Sequence, residues 1–473
     1  MRIVLWDTRK QDAAKDFAGG YGVGQFPGGA RWRSRLIRHL FKRDRRPVAL
    51  NFAYMAAIFR GLGHTVEYSE DVVPRGADLY VFNPALVTLP LERKAIREAL
   101  EGTPGCKVLV TGLVADKVPE AFDGLDVTLV QGEPEQLWWK LDEVLASPER
   151  RVAVGQVADL DALPLPDWSL FEPKRFRISY DFSAFPTGMV QQSRGCTLKC
   201  DYCPYIVQQN AVRFRSPESV VAEMREGASR YGFRSFKFRD PLFGLDRRRV
   251  SRLAELIGGL PKKIQFSIES RIDLLKPDVL RLLREVGLTS VTFGVETANE
   301  SLLREHHRAP ISDDRQREFI EACRALGIRT VAGFMIGFPE DTADSILGVL
   351  DYARKLNPTF ANFNIVTPYP GTHFFRQIHD QIATFDYSQF SVYSPVLKYR
   401  HLSPGQVSGL LEKCFSSYFF RSRWLAENGP VIWPSLGRLV VGRENAGLAA
   451  SVHSSSVAAK SAEAISDGLR KAA

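Results

Sequence analysis

The 473 residues carry 45% hydrophobic and 25% charged side chains, an ordinary soluble globular balance, and the length predicts roughly two to four domains. Three of the six cysteines sit in one cluster, which excludes a secreted disulfide framework and points to a reducing, cytoplasmic protein. The net charge of +9 admits nucleic acid, an anionic membrane surface or phosphate-bearing ligands as partners, and does not choose among them.

The opening MRIVLWDTRK holds an apolar run too short for a signal peptide, and no run reaches the roughly 18 apolar residues of a transmembrane helix. RIVLW (2–6) reads as a buried strand. FAGGYGVGQFPGG (17–29) is a glycine-rich loop that lacks the Gly-Lys-Ser/Thr of a P-loop and is expected near the mouth of the second domain. RWRSRLIRHLFKRDRR (31–46) interleaves eight basic residues with Trp32, Leu36, Ile37, Leu40 and Phe41. On a helix this is a basic face beside an apolar one. It reads first as a solvated face, and otherwise as peripheral contact with an anionic membrane or a hold on a phosphorylated ligand.

PVALNFAYMAAIFRGLGH (47–64) has helix start and stop signals. TVEYSE, ADLYVFN and KVLVTG are short β-rich runs, and PLERKAIREALEG and EPEQLWWKLDEVLAS are helical. The alternation predicts an α/β, doubly wound, Rossmann-like domain over 1–150. Ligands of such sheets bind at the carboxyl ends of strands, here Asn83, Thr111-Gly112 and Gly132-Glu133. Residues 151–186 are rich in proline and aspartate and read as a linker. From 187 to 395 the alternation restarts, with strands expected near 188–193, 235–240, 264–270, 290–296, 330–338 and 360–369. Six or so βα units suggest a closed or partial TIM-type barrel, whose site lies at the strand C-termini. Residues 396–450 look like a helical appendage, and 451–473 like a flexible tail.

The segment SRGCTLKCDYCPY (193–205) places Cys196, Cys200 and Cys203 at x3 and x2 gaps. Three thiolates are one short of a closed zinc or iron–sulfur site. His306, His307 and Cys323 are about a hundred residues away. A three-thiolate cluster with one open iron fits better than zinc.

With an aromatic residue before its third cysteine, this loop resembles the signature of the radical S-adenosylmethionine (radical SAM) superfamily. The resemblance implies a 4Fe–4S cluster on Cys196, Cys200 and Cys203, whose fourth iron is chelated by SAM. Further strand ends carry it through about 186–400. FKFRDPLF offers Asp240 to the SAM amino group, and FSIESRIDLL offers Glu269 and Arg271, the latter to the carboxylate. FGVETANESLL places Glu296 toward SAM. GFMIGFPEDT brings Gly337 near the adenine, as does Tyr202 in the cysteine loop, and VTPYPGTHFF resembles the closing P-x-P-G-T element. Arg271 and Glu296 read equally well as structural ion-pair residues, and Tyr202 as loop packing.

The order of these elements is similar to the class B branch, in which a cobalamin-binding domain precedes the barrel. That implies cobalamin contacts at Asn83, Thr111, Gly112, Gly132 and Glu133. The chain departs from the pattern in lacking D-x-H-x-x-G, so cobalamin would bind without a histidine ligand. It also carries Thr111-Gly112 where two glycines are usual. A domain that binds no corrin is the alternative.

The resemblance implies an enzyme that generates a 5′-deoxyadenosyl radical and methylates an unactivated carbon of a natural-product or lipid-like small molecule. An electron donor such as flavodoxin or ferredoxin would serve it. A non-methylating cyclisation or rearrangement is the first rival. Methylthiolation of RNA or protein requires three further N-terminal cysteines, and only Cys106 is present in 1–150. No RNA-binding module follows the barrel, which argues against nucleic acid. A non-catalytic metal-binding protein would not need the strand-end motifs.

Overall fold

The computed structural model describes residues 1–8, 13–15, 18–24, 26, 29, 32–35, 47–178, 183–208 and 211–428. Of the basic stretch, residues 32–35 are helical and expose Trp32, Arg33 and Arg35. Residues 31 and 36–46, and the tail at 451–473, lie outside the described residues. The chain divides into a unit spanning Met1–Phe419 and a second beginning at Phe420, in which residues 422–428 are helical. Everything below concerns the first unit.

Strands β1 (Arg2–Trp6), β2 (Thr65–Ser69), β3 (Leu79–Phe82), β4 (Lys107–Val110), β5 (Thr128–Gly132) and β6 (Arg151–Gly155) form one parallel sheet in the order β2-β1-β3-β4-β5-β6. LYVF of β3 is buried at every position, as expected of a parallel strand covered on both faces. Helix α1 (Leu50–Gly61) buries eight side chains beside this sheet. Helices α2 (Leu89–Gly102), α3 (Gly112–Lys117) and α4 (Leu137–Ala146) complete the connections. The sheet reverses direction at β1, between β2 and β3, and that is where a doubly wound sheet opens its ligand crevice. β6 falls inside the stretch read as linker, so the sheet ends at 155 rather than 150. RVAVG buries only two of its five side chains, the pattern of an edge strand.

Residues 156–178 form a strap that buries Leu160, Trp168, Phe171 and Phe176 among exposed polar residues. Trp168 is 2% exposed and packs edge-on against Phe176 and Phe233. Asp167 bonds Arg60 of α1 and accepts from Tyr231 Oη at 3.0 Å.

The second sheet is also parallel, in strictly sequential order: β7 (Thr187–Val190), β8 (Ser235–Phe238), β9 (Gln265–Ser270), β10 (Leu288–Glu296), β11 (Arg329–Ile336) and β12 (Phe360–Ile365). β7 and β12 stand at its two ends. Helices α5 (Pro217–Arg230), α6 (Arg247–Gly258), α7 (Pro277–Glu285), α8 (Asp313–Ala325) and α9 (Ala343–Leu356) connect the strands. They start on conventional signals, as where Ser216 caps α5 ahead of Pro217. From β9 to β12 the burial patterns alternate. Glu269, Thr292, Gly294, Glu296, Gly333, Met335, Asn362 and Asn364 are half-buried between fully buried neighbours. With a period of two, one face packs under helices and the other lines open space. Helix α10 (Pro404–Tyr418), begun by a Ser403–Gln406 capping box, packs on α9 and β12.

Candidate functional site

The half-buried stripe faces a cavity of about 460 Å3. Cys196, Cys200 and Cys203 line it, together with Tyr202, Glu269, Arg271 and Glu296. Among the described residues, no three His, Cys, Asp or Glu side chains converge where a single metal ion would sit. A 4Fe–4S cluster instead spreads its thiolates, one to each iron.

The cysteine loop is held from several sides. Gly195 has φ +89°, and a Cβ there would lie 2.1 Å from the Ala211 carbonyl oxygen, so no larger residue fits. Asp201, between two of the cysteines, receives the Phe374 N–H at its carbonyl. Its carboxylate lies 3.0 Å from His306 Nδ1. The His306 ring stacks on Phe338 at 5.0 Å. Burial raises the Cys196 thiol pKa, partly offset by the Leu198 N–H and by Arg271 and Arg308. Cys203 is pushed up to about 12 by burial, reinforced by the other two thiols and Glu296. The raised Cys196 and Cys203 thiols fit a site whose cationic irons would stabilise their thiolates.

Glu296 sits at the C-terminal end of β10, after a register shift against β11, with φ +65°. A side-chain-bearing residue in this region is strained, and the bulge re-aims its side chain. Its carboxylate lies 3.3 Å from Arg308 Nη2, which also donates to the Gly294 carbonyl at 2.6 Å. Arg308 Nη1 reaches to 4.0 Å from Cys200 Sγ. Burial raises the Glu296 carboxyl, against the pull of Arg308 and Arg271. Arg271 is gripped by both carboxylate oxygens of Asp273 at 2.9 Å, which is the structural ion-pair reading. Its Nη1 is buried on the cavity wall without a partner among the described residues, as is the Tyr202 hydroxyl. Burial alone would raise the Glu269 carboxyl, but Arg239 at 2.6 Å and Lys237 at 3.2 Å hold it below its ordinary range.

Two of the expected SAM contacts do not line this cavity. Asp240 is fully buried beneath the loop, where its carboxylate accepts from Ser193 Oγ at 2.5 Å and Gln192 N at 3.3 Å. It anchors the chain entering the cysteine loop, and Arg239 faces the cavity in its place. Burial, eased by Ser193 and Gln192, lifts its pKa to about 7. Gly337 forms the turn after β11, its N–H bound to Asp341, while Gly333 lines the wall.

A second cavity, of about 350 Å3, opens at the C-terminal ends of the first sheet. Asn83, Gly112, Gly132, Glu133 and Gly155 line it. At Gly112, φ is +84° and a Cβ would fall 2.1 Å from Asn83 Oδ1. At Gly132 a Cβ would meet the Gly155 carbonyl oxygen at 2.4 Å. At both positions the missing side chain makes room for protein atoms, while the glycine backbone itself lines the cavity. Thr111 is fully buried, donates to the Phe82 carbonyl, and does not line the cavity. Glu133 does line it, but both its oxygens are engaged by Arg213 at 2.8 and 2.9 Å. Arg194 completes the group, 3.2 Å from Glu133 and 2.8 Å from Glu135. Arg194 and Arg213 belong to the short antiparallel ladder that brackets the cysteine loop. The two acids therefore tie the first domain to that loop. Tyr205, Arg239 and Pro241 line both cavities and stand between them.

Arg308 and the Arg194–Arg213 pair escaped the sequence reading, and His306, weighed there only as a distant metal ligand, instead braces Asp201. The run HHRAP marks Arg308 only as one basic residue among many.

Comparison with known proteins agrees with this geometry. Residues 190–353 match the radical SAM superfamily model. An uncharacterized methyltransferase, PH0819, of Pyrococcus horikoshii is 26% identical over 58% of this chain and 59% of its own length. The anaerobic magnesium-protoporphyrin IX monomethyl ester cyclase of Cereibacter sphaeroides is 25% identical over 68% of this chain and 52% of its own. The chain thus spans only half to three-fifths of these curated relatives. The structure of TsrM from Kitasatospora setae, a radical SAM methyltransferase with cobalamin and a [4Fe-4S] cluster bound, superposes with a TM-score of 0.56 at 16% identity, over 81% of this chain and 78% of that one. That last likeness is one of fold.

A three-cysteine loop at the strand ends of a sequential parallel sheet, within the matched residues, defines residues 190–353 as a radical SAM domain. A Rossmann-like sheet precedes that domain, the order that the class B resemblance implies.

Proposed function

We propose that this chain is a cobalamin-dependent radical SAM methyltransferase acting on an unactivated carbon of a small molecule, with its second sheet curled as a partial (βα)6 barrel. The observation that carries the reading is the pair of adjoining cavities, one holding the three cysteines and the other floored by glycines, with Tyr205, Arg239 and Pro241 between them. When bound, the cluster and SAM supply a radical able to take hydrogen from such a carbon, and methylcobalamin supplies the methyl group.

The chain's own residues bind and orient. Cys196, Cys200 and Cys203 would hold the cluster, and Arg308 places a cation beside Cys200. The unpartnered Arg271 Nη1 offers a donor to the SAM carboxylate, and Glu296 an acceptor to its cationic part. The Asp240 and His306–Asp201 contacts keep the loop in register. Asn83, Gly112 and Gly132 would receive the corrin. The fixed geometry of the adjoining cavities would align the reacting centres. A reducing cytoplasm and a flavodoxin- or ferredoxin-like donor suit this chemistry, and among the described residues no helix is long and apolar enough to cross a membrane.

The test is anaerobic purification with iron, sulfide and hydroxocobalamin supplied. Four irons and one cobalt per chain, with S-adenosylhomocysteine formed on turnover, would support the reading. Four irons with no cobalt would overturn the methyl-transfer route. The likeness to a cyclase favours one second reading, a non-methylating radical reaction, in which SAM is cleaved without S-adenosylhomocysteine.

A further inference from the structure

The first cavity has two unlike halves. Its charged side chains, Arg239, Glu269, Arg271, Glu296 and Arg308, all come from within 190–353 and are paired with one another or with Asp273. The other half is built largely from outside that range. Phe26 of the glycine loop stacks on Phe415 of α10 at 4.2 Å and meets Tyr393 edge-on at 6.2 Å. Phe360 and Val392 extend the same wall. Among the described residues lining this half, none is charged.

Polar groups interrupt the apolar wall at one place. Tyr393 Oη donates to Asn362 Oδ1 at 2.9 Å, and Asn362 Nδ2 donates to Asn364 Oδ1 at 3.0 Å. This chain fixes the Asn364 amide with its own N–H2 unused among the described residues. Gly333 beside it presents no side chain; even a Cβ there would lie 4.0 Å from Asn364 Nδ2. Tyr369 is 4% exposed, lines the same cavity, and its hydroxyl has no partner among the described residues. A buried hydroxyl with nothing to bond carries a desolvation cost that a ligand oxygen would relieve.

We infer that this half is the substrate chamber and that it selects an uncharged, mostly apolar molecule bearing an oxygen function, met by the Tyr369 hydroxyl and the Asn364 amide. A carboxylate or phosphate here would be desolvated with no counter-charge, which disfavours it strongly. A pure hydrocarbon would leave both polar groups unpaired. The inference rests on the functional reading above, and it names the substrate class for that same site.

The test uses the full chain, reconstituted anaerobically with iron, sulfide and SAM, in equilibrium dialysis against three bicyclic probes. 2-Naphthol, naphthalene and 2-naphthoate share a ring system and differ in their oxygen function. The expected order is naphthol tightest, on the order of tenfold over naphthalene, with naphthoate weakest. Tyr369→Phe and Asn364→Leu, both close to isosteric, should each shrink the naphthol preference severalfold and leave naphthalene binding and SAM retention unchanged. Naphthoate binding as well as naphthol would overturn the inference. So would variants that keep the preference, or variants that release SAM instead. Iron and SAM are measured in the same samples. Their absence from the wild-type protein is the failure of the functional reading. Equal affinity for all three probes in protein that holds both is the failure of this inference.

Discussion

Replacing Glu135 by glutamine tests whether the two acids and two arginines beside the cysteine loop act as one balanced group. Arg194 has 12% of its side chain exposed and lies 2.8 Å from Glu135 and 3.2 Å from Glu133. Arg213 uses Glu133 at 2.8 Å. In the native protein two carboxylates face two guanidiniums. In Glu135→Gln both cations share one carboxylate, and the amide keeps the volume and one acceptor. Stranding a buried charge costs about 3–5 kcal/mol, and the retained acceptor should bring the loss to about 3 kcal/mol. Urea unfolding under anaerobic conditions measures it. Adding Arg194→Met removes the stranded cation and should recover much of the loss. A single variant within about 1 kcal/mol of wild type, or a double variant less stable than the single one, would refute the reasoning. The group also sets an acid limit. Burial alone would raise the Glu133 carboxyl, but Arg194 and Arg213 reverse this and hold it below its ordinary 4.5. Its contribution is therefore present above pH 4.5 and is lost as pH falls through the depressed value.

Other outcomes follow from single residues. Gly112→Val forces a β-branched residue to φ +84° against Asn83 and should reduce bound cobalt several-fold with iron unchanged, as read by elemental analysis. Asp240 has a pKa lifted to about 7, so the native protein should gain stability as pH falls from 7 toward 5, by up to about 1 kcal/mol per unit. Asp240→Asn should lose that part of the slope in unfolding midpoints taken at pH 5, 6 and 7. Arg308→Gln leaves Glu296 buried without its counter-ion and should cost about 3 kcal/mol, together with iron retention, measured by unfolding and iron content on one preparation.

Strand positions were largely legible because buried parallel strands are continuous apolar runs and cavity-lining strands alternate. LYVF and FANFNI show the two patterns side by side. RVAVG was taken for linker because an edge strand buries too few side chains to signal itself. The cysteines were legible because all three lie within one loop. Motif position did not give side-chain direction. Asp240 and Arg239 are neighbours, yet one points into the core and the other into the cavity, and the same holds for Thr111 and Gly112. A step of one residue changes face, and no local pattern records which residue of a turn points in. Arg308 meets Cys200, and Glu133 meets Arg213, only across the folded chain. Such pairs have no spacing to read.

The glycine loop has a consequence for how such proteins diversify. Tyr21 bonds the Pro370 carbonyl, Gly24 N–H bonds the Ser391 carbonyl at 3.0 Å, and Phe26 enters the aromatic wall of the first cavity. The N-terminal part of the chain thus contributes a wall to a chamber whose reactive machinery is encoded two hundred residues later. A chimera that imports residues 1–155 from a relative brings a foreign piece of the chamber with it. A graft meant to leave this wall intact must therefore keep residues 18–29 of the recipient.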